Sequence, residues 1–219
     1  MNKNKFNLIV FDWDGTLYDS TAVIINSIQR ASADLGYRIP GSDLAASVIG
    51  LGFNESMKKI FPNLDKVFYP KIVERYRYHY SKYDSNICLF KGAEEMIKEL
   101  FERGYYLAVA TGKSRSGLNR ALNKTNIGKL FKITKCADET LSKPNPLMLT
   151  QIVDELGVDR EKTLMIGDTI HDLQLARNAG TFFGAVYYGA NSKMLLESYF
   201  PLFCVGSIEE LKNWLKNNV

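Results

Sequence analysis

The feature that most restricts this chain is a set of apolar runs that do not alternate. "FNLIVF" (Phe6 to Phe11), "YYLAVA" (Tyr105 to Ala110), "TLMIG" (Thr163 to Gly167) and "FFGAVYY" (Phe182 to Tyr188) are apolar at nearly every position. A strand with one wet face carries a polar residue at every second position, whereas a strand covered on both faces does not. These runs are therefore read as buried strands of a parallel sheet. "FKIT" (Phe131 to Thr134) and "LFCV" (Leu202 to Val205) are weaker members of the same class. Helical patterns lie between them. "GAEEMIKELFERG" pairs Met96 with Leu100 and Ile97 with Phe101, and Gly104 stops it. "SRSGLNRALNK", "NPLMLTQIVDELG" and "TIHDLQLARNAG" follow the same logic, with Pro146 suited to a first turn. Ser207 and Glu210 form a capping-box pattern before the last helix. Alternating strand and helix makes this an α/β fold.

Residues 17 to 86 break that rhythm, because they contain no clear strand. Ser20 is placed to cap a helix carrying Ile24, Ile28, Ala31 and Leu35, closed by Gly36. "GSDLAASVIG" and "NESMKKIF" read as short helices around the loop "GLG" (Gly50 to Gly52), and "PKIVERYRYHYSKY" reads as a longer one. A small helical module thus interrupts the sheet directly after its first strand. Tyr76, Tyr78, Tyr80 and Tyr83 among Arg75, Arg77 and Lys82 resemble a nucleic-acid surface. Helical spacing favours a plainer reading, in which Tyr76, Tyr80 and Tyr83 share one face and pack within the module.

Composition closes off several functions. The 219 residues carry a net charge of +4, too mild to argue for nucleic acid. Three cysteines (Cys88, Cys136, Cys204) lack metal-type spacing and read as free thiols of a reducing compartment. The apolar run near the N-terminus is too short for a signal peptide and is cut by acids. No window reaches the roughly 18 apolar residues of a membrane span. The expectation is a cytoplasmic protein without membrane or nucleic-acid partners, and the sequence does not speak to its oligomeric state.

In an open parallel sheet, ligands bind beyond the carboxyl ends of the strands. Past the first strand come Asp12 and Asp14 in "DWDGT". Past the second come Thr111, Gly112 and Lys113 in "ATGKS". "IGDTIHD" follows a later strand with Asp168 and, one helical turn on, Asp172. Lys143 stands in "LSKPNP", between the third strand and the next helix. Singly, each has a plain explanation: a strand-end Asp or Thr often only caps a helix, and a lysine before proline often sits in a wet loop. Four strand ends supplying acids, a hydroxyl and a lysine in this order are harder to explain that way.

"DWDGT", Thr111, Lys143 and "GDTIHD" together resemble the four motifs of the haloacid dehalogenase superfamily of phosphotransferases. The resemblance covers essentially the whole chain and is nearest to the phosphoglycolate phosphatase-like branch. It implies a Rossmann-like parallel-sheet core (residues 1–16 and 87–219) with a type-one helical cap (17–86). It also implies a Mg²⁺-dependent phosphatase acting on a small phosphorylated metabolite. Asp12 and Asp168 would hold Mg²⁺ through carboxylates, Asp14 through its backbone carbonyl, and Asp172 would support from outside the ligand set. Asp12 would be the nucleophile, forming an aspartyl-phosphate. Asp14 would protonate the leaving alkoxide and then activate water. A free Asp titrates near about 3.9, so that role needs an upward shift, for which the Asp12 charge and burial are candidate causes. Thr111 Oγ and the Gly112 amide would bind phosphate oxygens, and Lys143 would neutralise the phosphoryl group and Asp12. Gly15 would let the backbone turn tightly beneath the phosphate.

Four carboxylates are balanced by one proton, Mg²⁺ and Lys143. Lys113 and Arg115 are either further phosphate contacts or surface residues of a helix start. Asp14 argues against the dehalogenases and phosphonoacetaldehyde hydrolases of the superfamily, which lack that acid. A β-phosphoglucomutase-like mutase stays open. A phospho-receiver signalling module shares the acids, Thr and Lys, but has no helical insertion after its first strand. Trp13 is expected to pack on the far side of the strand. His171 is expected on the exposed face of its helix. In the cap, Leu51, Phe53 and Asn54 of "VIGLGFN" are expected near the leaving group.

Overall fold

The computed structural model describes residues 5–219. Residues 1–4 lie outside the described residues, and with them the start of the 1–16 core segment and of the basic N-terminal stretch. Six strands form one parallel sheet: β1 (Leu8–Phe11), β2 (Tyr106–Thr111), β3 (Ile133–Cys136), β4 (Thr163–Gly167), β5 (Phe182–Val186) and β6 (Cys204–Val205). Their order is β3-β2-β1-β4-β5-β6, with β1 between β2 and β4. Both weak strand candidates are present, each shifted toward its C-terminal side.

The continuous apolar pattern has the expected cause. Successive strand residues point to opposite faces, and both faces here are covered. Ile9 and Phe11 of β1 join a core with α5 (Ala93–Glu102) and α10 (Ile208–Asn218). Leu8 and Val10 join a second core with α7 (Leu147–Leu156) and α8 (Ile170–Ala179). α6 (Arg115–Asn123) packs Leu118 and Ala121 on the first face, and the short α9 (Lys193–Glu197) covers β5. Trp13 is fully buried on the first face, against Tyr18 and Phe131.

The stretch without strands holds α1 (Thr21–Asp34), α2 (Ser42–Ala46), α3 (Phe53–Ile60) and α4 (Tyr69–Tyr83). The chain leaves and rejoins the sheet along two adjacent linkers. Asp19 N donates to Cys88 O (3.0 Å), and Phe90 N donates to Leu17 O (3.0 Å). Tyr18 Oη donates to Ile87 O (3.0 Å), so the linkers are tied by a side chain as well. Among the described residues, no helix is long and apolar enough to cross a membrane.

Ser20 stands at the start of α1, but its side chain does not cap the helix. Its Oγ donates to Asp14 Oδ1 at 2.6 Å. The Ser207/Glu210 pair is also modified. Ser207 Oγ accepts from Glu210 N (3.1 Å), while the Glu210 carboxylate takes Gly206 N (2.9 Å).

Candidate active site

The ends of β1, β2 and β4 lie side by side, so the residues that follow them meet at one edge. Asp12 continues the ladder by one step, its amide donating to Ile166 O (2.9 Å). Lys143 Nζ donates to Asp12 Oδ1 and to Asp172 Oδ1, both at 2.6 Å. All three side chains are at most 1% exposed. Asp12 Oδ2 is buried and has no partner.

Asp168 follows β4 and is held on both sides. Thr16 Oγ1 donates to its Oδ1 (2.9 Å), and Ala190 N donates to its Oδ2 (2.7 Å). Asp172 closes a capping box at the start of α8. Its Oδ2 accepts from Thr169 N (3.0 Å) and Thr169 Oγ1 (2.6 Å), which leaves Oδ1 for Lys143. Gly15 has φ +82° and faces the Asp168 carboxylate so closely that any Cβ would collide with it. The turn therefore needs glycine for both conformation and space.

One oxygen from each of Asp12, Asp168 and Asp172 lies within 4.8 Å of the others. Three buried carboxylates share a single ammonium. Burial pushes the Asp12 carboxyl up to about 7, against the pull of Lys143. Burial likewise holds Asp168 well above the usual carboxylate range, and the charges of Asp12 and Asp172 push the same way. Burial opposes charge on Lys143, but Asp12 and Asp172 outweigh it and keep the ammonium well above its usual range. The donor set is oxygen only, it carries surplus negative charge, and one of its oxygens is unpartnered. Those features suit a hard divalent cation such as Mg²⁺.

Asp14 sits beside this cluster with different partners. Its Oδ1 accepts from Ser20 Oγ and from Lys113 Nζ, both at 2.6 Å, and its Oδ2 accepts from Lys113 Nζ at 2.9 Å. Lys113 Nζ also donates to Tyr80 Oη of α4 (3.2 Å). Burial works against the Lys113 charge, yet Asp14 and Tyr76 hold its pKa above the ordinary value. Lys113 is thus neither a surface residue nor a free phosphate ligand; it is the counter-ion of Asp14. The charge balance read from sequence gains this second buried lysine. Arg115, by contrast, is bound to Glu139 and Thr134, away from the acids.

Thr111 ends β2 fully buried, and its Oγ1 accepts from Lys113 N (3.1 Å). Gly112 lies against the backbone of Gly50 and Leu51, where a Cβ would not fit. The glycine loop of the helical insertion therefore lies against the end of β2. Gly52 N donates to Ser142 Oγ (2.7 Å), one residue before Lys143. Leu51 and Phe53 line a cavity of about 490 Å³ that opens from Asp14 and Lys113.

Three expectations about side chains need correction. Asn54 lines an adjoining cleft between α3 and the first half of α4 rather than the cavity itself. His171 is buried rather than exposed, because the loop after α2 covers the start of α8. Its Nε2 is 3.0 Å from Ser47 O, and burial lowers its pKa. Tyr80 is buried and Tyr76 packs on it at 5.8 Å, but Tyr83 is exposed beyond the shared face. Sequence reasoning missed Thr16 and Ser20 as supports of Asp168 and Asp14. Both are polar residues next to the paired acids, and that adjacency was the available signal.

Residues 9–186 match the family model described as haloacid dehalogenase-like hydrolase. The chain belongs to this family. It is 28% identical over 209 residues to the pyrophosphatase PpaX of Halalkalibacterium halodurans, covering 94% of this chain and 95% of the relative. A solved hydrolase from Pseudomonas syringae superposes with a TM-score of 0.88 at 21% identity, covering 97% of this chain and 98% of the other. A predicted phosphoglycolate phosphatase from Haemophilus somnus gives 0.84 at 22%, covering 97% and 99%. These two likenesses bear on fold, and the parallel-sheet core with helices is the fold of this haloacid dehalogenase-like hydrolase. The expectation of a phosphohydrolase of this family stands.

Proposed function

We propose that this hydrolase is a Mg²⁺-dependent phosphatase that cleaves a phosphomonoester through an aspartyl-phosphate on Asp12. One observation carries the proposal: Asp12 offers one oxygen to Lys143 and keeps the other buried and unpartnered at the carboxyl edge of the sheet. A carboxylate placed so can attack phosphorus without first giving up a hydrogen bond. Asp12 and Asp168, with the Asp14 backbone carbonyl, would hold the metal; Asp172 supports Lys143 and the cluster. When bound, Mg²⁺ offsets charge on the carboxylates and the phosphoryl oxygens.

Asp12 forms a bond to phosphorus as the bond to the leaving oxygen breaks. Asp14 gives that oxygen a proton, then takes one from the water that attacks the aspartyl-phosphate. Inorganic phosphate leaves and Asp12 is restored. Thr111 Oγ1, the Gly112 amide and Lys143 bind the phosphoryl oxygens. Lys113 and Ser20 orient the Asp14 carboxylate through the hydrogen bonds they donate to it. Residues 17–86 act as the cap and residues 1–16 with 87–219 as the core, the paired linkers serving as hinge. Free Cys88, Cys136 and Cys204 fit a reducing, cytoplasmic setting.

The test is phosphate release from acetyl phosphate and a panel of esters with Mg²⁺, for wild type and Asp12→Asn. Loss of turnover by about 10⁴-fold or more is expected in the variant. Turnover that survives the substitution rejects Asp12 as nucleophile.

A further inference from the structure

The cavity beside Asp14 says more about the substrate than the phosphate site does. Its walls include Asp14, Gly112 and Lys113 but none of Asp12, Thr111, Lys143, Asp168 or Asp172. It is therefore the compartment of the leaving group. Its volume is about 490 Å³, within the range of sites that take drug-sized molecules. At ~30 Å³ per molecule, that is space for about sixteen waters. A leaving phosphate or glycolate would displace only a few of them.

The lining is as informative as the size. Ile24, Ile28, Val48, Met57 and Val73 come from the cap and meet Phe53, with Tyr76 and Tyr80 beside Lys113. Ser56 also faces the cavity, but its Oγ already donates to Gly52 O (2.9 Å) and to Val48 O (3.3 Å). Lys113 is committed to Asp14, and the remaining cations, Arg77 and Arg120, are exposed at the rim. Ser81, Ser114, Asp138 and Asp84 also line it, engaged by Tyr78 O, Gly117 N, Arg115 N and Lys124 in turn, so apolar side chains form the larger share of the inner wall. A second phosphate, a carboxylate or a ring of sugar hydroxyls seated among Ile24, Ile28, Val48 and Met57 would lose water there and gain no partner from those side chains. An apolar ring is stabilised by the same walls, and Phe53 and Tyr76 supply aromatic surface for it.

Resting on the phosphatase assignment above, we infer that the substrate is a phosphomonoester whose alcohol carries a flat, ring-sized, largely apolar body next to the ester. Aromatic and heteroaromatic alcohols are the class that fits. Pyrophosphate, phosphoglycolate and hexose phosphates do not fit.

Steady-state kcat/KM is measured with Mg²⁺ for acetyl phosphate, pyrophosphate, phosphoglycolate, glucose 6-phosphate, pyridoxal 5′-phosphate and benzyl phosphate. A ring ester is expected to exceed pyrophosphate, phosphoglycolate and glucose 6-phosphate by at least about tenfold. The pyridine and benzyl arms show whether a heteroaromatic or a plain aromatic ring is preferred. In Val73→Asn, the ratio of kcat/KM for that ester to kcat/KM for acetyl phosphate should fall about tenfold, because one wall turns polar. Acetyl phosphate separates the two claims. If wild type hydrolyses it but works fastest on pyrophosphate, phosphoglycolate or the hexose ester, the ring assignment is overturned and the phosphatase stands. An unchanged ratio in Val73→Asn likewise overturns the ring assignment. If wild type hydrolyses none of the panel, the phosphatase assignment falls and this inference with it.

Discussion

The sheet edge and the helical insertion reach a common site by different means. At the sheet edge, side chains are fixed by other side chains. Lys143 ties Asp12 to Asp172, Thr16 holds Asp168, and Thr169 holds Asp172. Across the insertion, several contacts with the sheet edge run through its backbone, beside the side-chain pairs Tyr80–Lys113 and Asp84–Lys124. Gly50 and Leu51 lie on Gly112, Gly52 N meets Ser142, and Ser47 O meets His171. A charge network locks one geometry, since each member loses its partner if another moves. Single backbone hydrogen bonds are worth about 1 kcal/mol and can be made and broken in each cycle. On the proposed reading of residues 17–86 as a cap, the difference would separate a rigid chemical centre from its cover.

The sharpest way to break this contrast is Lys143→Met. It leaves Asp12 and Asp172 buried without their cation. Removing one member of a buried ionic group costs about 3–5 kcal/mol, which for a chain of this size is a fall in Tm of about 6–20 °C. Phosphate release should drop at least about 100-fold as well. A Tm within about one degree of wild type would show that the network does not lock the centre. The next test adds Mg²⁺ and follows Tm. Binding to the folded state alone contributes about 2.7 kcal/mol at 100-fold excess over Kd, so Tm should rise by about 5–10 °C. In Asp168→Asn that rise should largely vanish. An equal rise in both proteins would place the cation elsewhere. Ser142→Ala tests the cover. It removes the acceptor of Gly52 N, so KM should rise about fivefold while kcat stays within about twofold. A fall in kcat with unchanged KM would make Ser142 part of the chemistry instead.

The same division explains what could be read from the chain. The acids, Thr111 and Lys143 were legible because continuous apolar runs mark parallel strands, and a parallel sheet collects its ligands beyond their carboxyl ends. Lys113 was not, because only Tyr80, folded back from α4, and Asp14, out of sequence order, bury it. His171 was misplaced for a related reason. A helical pattern tells which residues share a face, but whether the face is wet depends on what lies over it. Ser20 has the sequence of a cap and the position of one, yet its hydroxyl is turned to Asp14. Asn54 fails by geometry. Phe53 and Asn54 are consecutive helical residues about 100° apart, so a loop that aims Phe53 at the cavity turns Asn54 away. Interiors of secondary structure are written in periodicity, whereas contacts between the lid and the sheet edge are set by tertiary placement.

The smallest expected effect lies within the lid, at a charge cluster that never touches the site. Asp34 at the end of α1 accepts hydrogen bonds from Arg75 and, at 2.7 Å, from His79 Nε2 on α4. These partners hold the Asp34 carboxyl below its ordinary value of 3.8. A group with a depressed folded pKa stabilises the fold above its unfolded value, and that stability is lost as pH falls through the folded one. Asp34→Asn should therefore lower Tm by about 2 °C at neutral pH, as expected of an exposed pair. The gap between variant and wild type should hold steady down to about pH 4.5 and close below it, where wild-type Asp34 takes up a proton. Phosphate release from acetyl phosphate should be unchanged, since the α1–α4 clamp is remote from the acids. A Tm gap that persists unchanged to pH 3 would mean that the amide fails for reasons of packing and that charge does not join these two helices.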